Sequence, residues 1–176
     1  LLFIASIIIA RILTVDEYGE LGMVKSTMDN FLIFASMGIG LTTTKYTSEL
    51  KDTQKDAASS IIGASLSLVL LLSLTVALTI SFFSSFISIE ILNNGNIELP
   101  LIIGGFTLVF IALNGTQMGA LLGLQAYKKN SISNIVQGVF LFFGLCIGAY
   151  FGGVLGAITG NFIAIIIVTL FLQYLL

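Results

Sequence analysis

Two ionisable residues stand where a membrane helix should hold none. Lys25 and Asp29 precede the weakly polar-to-apolar run 31–41, which covers only about 17 Å as a helix. A span that includes that run must therefore extend back through both. A charge at depth costs a few kcal/mol and normally faces a bundle interior or a wet cavity. Four residues apart, the two share one helix face, and Ser36 and Gly40 continue roughly along it. Lys25 would serve such a cavity as a point charge for an anion. Asp29 would hold the ammonium in place when no ligand is present, or take a proton if burial raises its pKa. The alternative is an i,i+4 pair near the outer interface, with Lys25 snorkelling outward. Arg11 ends an earlier apolar stretch and could bind phosphate through several donors, or anchor the helix at the interface. Asn114, Thr116 and Gln117 fall inside the apolar stretch 99–126. There they either bond across helices or line a polar path, and packing glue is the reading their neutral side chains favour.

The rest of the composition says what must position these groups. Of 176 residues, 57% are hydrophobic and 9% charged, against about 25% charged in a soluble domain. The mean hydropathy is +1.09. That excludes a water-soluble enzyme or nucleic-acid binder. With no histidine and the single cysteine Cys146, zinc sites, Cys-His catalysis and disulfide frameworks are excluded too. No cofactor is implied, and no acid/base cluster points to an enzyme. The opening Leu1-Leu2-Phe3 has neither Met nor a basic n-region, so it does not read as a signal peptide. It reads as the interior of an apolar helix, and the chain as part of a larger membrane protein.

A membrane helix takes roughly 20 apolar residues. Six candidates follow: 1–13, 21–42, 58–88, 99–126, 134–151 and 154–176. The last two are separated by argument. Residues 131–176 carry no charge, yet as one helix they would be about 69 Å long. Gly152-Gly153 is the natural hairpin between them. The expected fold class is therefore all-α, a polytopic membrane helix bundle. Linkers 14–20, 89–98 and 152–153 fall on one side, 43–57 and 127–133 on the other. Lys45, Lys51, Lys55, Lys128 and Lys129 lie on the second side and only Arg11 at the edge of the first. The positive-inside rule makes the second side, and with it the N-terminus, cytoplasmic. Asn93-Asn94-Gly95-Asn96 reads as an outside turn, with Pro100 in the first turn of the next helix.

Smaller features carry less. Lys45 to Asp56 mixes lysines with acids and reads as a short interfacial helix and solvated connector between spans two and three, the other option being contact with anionic headgroups. Gly144, Gly148, Gly152, Gly156 and Gly160 recur every four residues, as do Gly119 and Gly123. That spacing lets helices approach closely inside the bundle. The serines of span three can bond their own helix backbone. Asn114-Gly115-Thr116 matches a glycosylation sequon but lies mid-span, so the match is discarded.

Four passages resemble a known family. Ala10-Arg11-Ile12-Leu13 with Asp16-Glu17-Tyr18-Gly19 is similar to the signature closing the first helix of polysaccharide flippases, in the multidrug/oligosaccharidyl-lipid/polysaccharide exporter superfamily. Gly38-Ile39-Gly40 through Lys45-Tyr46 to Glu49 resembles the passage leaving their second helix. Gly119 to Lys128 resembles the exit from their fourth, and Gly152-Gly153-Val154-Leu155-Gly156-Ala157 the short hairpin before their sixth. The four occur in the family's order. Thr14-Val15 departs from the Gly-Pro common there and alters the turn.

The resemblance implies one six-helix lobe of a two-lobe exporter, the N-terminal one, in the bacterial inner membrane. It implies transport of undecaprenyl-diphosphate-linked oligosaccharide by alternating access, with a polysaccharide polymerase as a protein partner and no nucleic acid. In relatives, cationic cavity residues hold the diphosphate; Arg11 and Lys25 are the candidates here, with Asp29, Asn114 and Gln117 as further cavity candidates. Two other functions fit the residues. One is a cation-coupled drug antiporter of the same superfamily, with Asp29 as the ion-binding carboxylate. The other is a non-transporting membrane scaffold.

Overall fold

The computed structural model describes residues 2–176; Leu1, the first residue of the expected span 1–13, lies outside them. Every regular element among the described residues is helical. Helix α1 (Leu2–Ile12) buries Ala5 and Ile9, four apart on one face, against Leu145 and Ala149. It stops because Thr14 starts a new helix. Thr14 adopts an extended conformation, and its Oγ1 accepts from the Glu17 N–H at 3.3 Å, while Glu17 accepts from the Thr14 N–H at 2.9 Å. This reciprocal box satisfies two N–H groups that have no helical partner. Those bonds from Thr14 hold the Glu17 carboxyl below its usual pKa. The sign follows: the ionised carboxylate is the cap, so its contribution is present at neutral pH and is lost as pH falls through the lowered pKa.

Helix α2 (Val15–Ser36) buries Leu21, Val24, Met28 and Ala35 on one face. It ends where Met37 (φ 42°) and Gly38 (φ 70°) are both left-handed. Helix α3 (Ile39–Leu50) then continues with Ile39, Thr43 and Thr47 buried. The expected single span 21–42 is thus two helices meeting at a break. The expected connector from Lys45 to Asp56 is divided as well. Lys45 to Leu50 belongs to α3, and Lys55 opens α4 (Lys55–Phe82). The reason is packing: α3 lies on helix α6 (Glu98–Gly123) through small residues. A Cβ on Gly119 would collide with the Gly40 backbone, and one on Gly123 would stand 2.8 Å from the Thr44 carbonyl. Thr44 Oγ1 donates to the Gly119 carbonyl at 2.9 Å. Thr43 Oγ1 donates to the Ile39 carbonyl of its own helix, whereas Thr47 is buried with its hydroxyl unpartnered.

Helix α4 packs on α6 at Gly105, which faces Ile80 and the Ala77 carbonyl. Its serines bond their own helix as expected: Ser67 donates to Gly63 and Ser81 to Ala77. The helix ends earlier than the expected 88. A single turn, α5 (Ser84–Phe86), and a wide turn over Ile87–Ile91 carry the chain to a loop. There Asn93 is left-handed (φ 52°), and the Asn94 side chain accepts from the Asn96 N–H at 2.9 Å. Pro100 falls in the first turn of α6, where its missing N–H needs no partner.

Helix α6 touches α2, α3, α4 and α7 and carries the densest burial of the chain. Helix α7 (Tyr127–Leu175) is two limbs folded back at Gly152 and Gly153. Gly153 has φ 57° and ψ −137°, a region open to glycine alone. The glycine repeat forms the seam between the limbs, since a Cβ on Gly148 would collide with the Gly156 carbonyl and one on Gly144 with that of Gly160. The expected intramolecular packing is what the repeat provides.

The linkers gather at two ends of the bundle. Asn94 Nδ2 donates to Glu20 at 2.8 Å, and Glu17 lies beside Gly153. Segments 14–20, 89–98 and 152–153 therefore share one end. At the other end Lys129 Nζ donates to the Leu175 carbonyl at 2.6 Å, and Thr47 packs on Gly123. Among the described residues three helical stretches are long and apolar enough to cross a membrane: Lys55–Phe82, Gly95–Gly123 and the folded Tyr127–Leu175.

Candidate substrate groove

With Leu21, Val24, Met28 and Ala35 buried, one flank of that buried face stays open along α2. Tyr18, Gly22, Lys25 and Asp29 recur there at spacings of three and four, so they form one line along the helix. Lys25 sits ten residues into α2, about 15 Å from its start, and both it and Asp29 are exposed.

Three hollows follow this line. A groove of 260 Å³ between α1, α2 and α7 is bordered by Ser6, Ile9, Tyr18, Gly22, Lys25 and Leu145. A smaller one of 70 Å³ lies deeper, with Lys25, Asp29, Thr107 and Asn161 on its walls. A third, of 410 Å³, follows the break between α2 and α3, past Ser36, Gly38 and Gly40 to Thr44. Lys25 borders the first two, and Ile111 the second and third. The hollows form a chain from the Tyr18 end toward the lysine-bearing end. Their walls are mostly apolar; Lys25 is the one charged side chain lining the first, and Lys25 and Asp29 put opposite charges on the second.

The expected pairing of Lys25 with Asp29 is not formed. Among the described residues the only ion pair within 4.0 Å joins Lys51 to Asp52 at 3.8 Å. Asp29 opens only onto the deeper hollow, whereas Lys25 reaches both. Nothing on the protein within ion-pair distance neutralises the Lys25 charge, so it is available to an anion.

The other candidates are elsewhere. Arg11 is exposed in the last turn of α1. It comes two residues after Ile9, so it lies on the far side of the helix from the groove wall. Asn114 and Gln117 are each 2% exposed, inside the bundle. Gln117 Nε2 donates to Gln173 Oε1 at 2.9 Å, which ties α6 to the second limb of α7. Asn114 has no partner for either amide atom, and the Gln117 oxygen has none. Thr116 bonds its own helix at Ala112. Lys25 and Asp29 thus share the 70 Å³ hollow, and Lys25 also borders the 260 Å³ groove; Arg11, Asn114 and Gln117 border neither. Tyr18, Gly22, Thr107 and Asn161 were not anticipated as wall residues. The signal for the first two was present, seven and three residues before Lys25 on its own face.

Helices of this length and apolarity, with an uncompensated cation on an open groove, define a multi-pass membrane protein. The family model described as polysaccharide biosynthesis protein matches residues 1–176. The chain belongs to that family. No curated protein and no solved structure matches it.

Proposed function

We propose that this chain is one lobe of an exporter that moves undecaprenyl-diphosphate-linked oligosaccharide across the bacterial inner membrane. The observation that carries the reading is Lys25: an exposed ammonium halfway along a helix of a membrane protein, in a groove, with no carboxylate within 4.0 Å among the described residues. A charge left in such a place is costly, and an anionic ligand that visits the groove offsets that cost. Family membership supports a role in polysaccharide biosynthesis, and a diphosphate is the anion that pathway attaches to lipid. The second lobe completes the cavity and moves against this one, as alternating access requires. Export then supplies glycan to a polymerase on the far side. Cells lacking the gene should lose surface polysaccharide and accumulate lipid-linked glycan in the inner leaflet. Normal surface polysaccharide in such cells would overturn the proposal.

The same reading places the end bearing Lys45, Lys51, Lys55, Lys128 and Lys129 in the cytoplasm, with the N-terminus on that side. With Cys146 replaced by Ser, single cysteines at Asn94 and at Ser131 report it. An impermeant thiol reagent added to cells with a permeable outer surface should label position 94 and spare 131. The reverse pattern would invert the orientation.

A further inference from the structure

The 260 Å³ groove has more in it than a cation. Tyr18 stands at its outer end, 41% exposed. Its backbone is fixed by the first turn of α2, where the Tyr18 N–H donates to the Thr14 carbonyl at 2.9 Å within the capped start of the helix. Lys25 lies seven residues on, about 10 Å along the axis, and a helical side chain of its length leans back toward the N-terminus, hence toward Tyr18. Gly22 lies between them on the same face. A Cβ there would meet nothing within 4 Å, so beside the buried Leu21 side chain the floor between ring and ammonium is open backbone. Ser6 of α1 adds a hydroxyl to the facing wall, and Ile9 and Leu145 supply apolar surface.

An aromatic face, a gap floored by backbone and a cation, in that order, match one ligand chemistry. A pyranose presents an apolar face of C–H groups and a rim of hydroxyls. A phosphate attached to it carries the charge. We infer that Tyr18, Gly22 and Lys25 form a glycosyl-phosphate subsite, in which the first sugar lies over Gly22 against the Tyr18 ring and the phosphate meets Lys25. The inference rests on the proposed transport of a lipid-linked glycan and adds to it which residue holds the sugar and which way the ligand points. The sugar faces the end formed by segments 14–20, 89–98 and 152–153, and the phosphate lies deeper. Tyr18 is then a specificity residue for the glycan and Lys25 is not.

Two lipids separate the roles: undecaprenyl diphosphate, and the same lipid carrying one N-acetylglucosamine. Their affinities are measured for the complete native protein in nanodiscs. Tyr18→Ala should weaken binding of the glycosylated lipid about fivefold, the worth of one aromatic contact, and leave the bare diphosphate unchanged. Tyr18→Phe should keep the wild-type values. Gly22→Leu has room to fold and should exclude the sugar while sparing the bare diphosphate. Lys25→Ala should weaken both lipids. Equal losses for both lipids in Tyr18→Ala, or no loss in Tyr18→Ala and Gly22→Leu, would overturn the subsite while leaving the transport reading intact. A folded wild-type protein that binds neither lipid would overturn the transport reading and the subsite with it.

Discussion

Lys25→Ala is expected to lower polysaccharide export at least about tenfold, since a charge-assisted contact to an anion is worth about 1.5–3 kcal/mol. Membrane abundance should stay normal. The side chain is exposed and unpaired in the groove, so its removal opens no core cavity and strands no buried partner. Lys25→Arg should keep part of the activity, because it keeps the charge and changes its shape. Asp29→Asn should weaken export less than Lys25→Ala. Asp29 does not hold Lys25 in an ion pair, and it borders only the deeper hollow of 70 Å³. Normal export by Lys25→Ala would make the ammonium an interfacial ornament. A dead Asp29→Asn beside a working Lys25→Ala would favour the cation-coupled antiporter.

The second large effect is on the fold. Gly148→Leu should destabilise the protein by about 3 kcal/mol or more, as overpacking that the backbone must absorb. A Cβ at position 148 already collides with the Gly156 carbonyl, so the two limbs of α7 would have to part. The first limb carries Leu145 and Ala149 into the main core beside Ala157 and Ile158 of the second. Parting the limbs therefore disturbs the wall of the groove as well. Gly63→Ala is the control. It lies inside α4 with nothing within 4 Å of an added Cβ, and should be neutral or stabilise by about 0.5–1 kcal/mol. Thermal unfolding in detergent reads both. Equal midpoints for Gly148→Leu and wild type would contradict the close seam.

The hairpin at Gly152-Gly153 was legible because two constraints met there: too long an uncharged run for one helix, and two adjacent glycines in it. The break between α2 and α3 was not. Apolar residues continue on both sides of Ser36-Met37-Gly38, and a left-handed methionine has no signal in its residue type. What holds the break is tertiary: α3 is drawn onto the Gly119 and Gly123 side of α6, and sequence reading had assigned those glycines only to packing in general. The capped restart at Thr14 is legible in Thr14-x-x-Glu17, the spacing that announces a helix start. Lys25 and Asp29 fall on one face, as their spacing demands. Whether they pair depends on where each side chain finds space, and spacing does not encode that. Asn114 and Gln117 show the same limit. A polar residue in an apolar helix must find a partner or a cavity, and only the packing reveals that Gln117 found Gln173.

The central question is whether the complete protein carries a lipid-linked glycan across a bilayer by way of Lys25. The direct measurement is translocation of labelled undecaprenyl-diphosphate oligosaccharide in proteoliposomes, read as the fraction that becomes accessible to an impermeant glycan-modifying enzyme outside. Wild-type protein should raise that fraction well above protein-free vesicles, and Lys25→Ala should return it close to the protein-free level. A wild-type rate no faster than that of protein-free vesicles, or a Lys25→Ala rate equal to wild type, would contradict transport by way of Lys25.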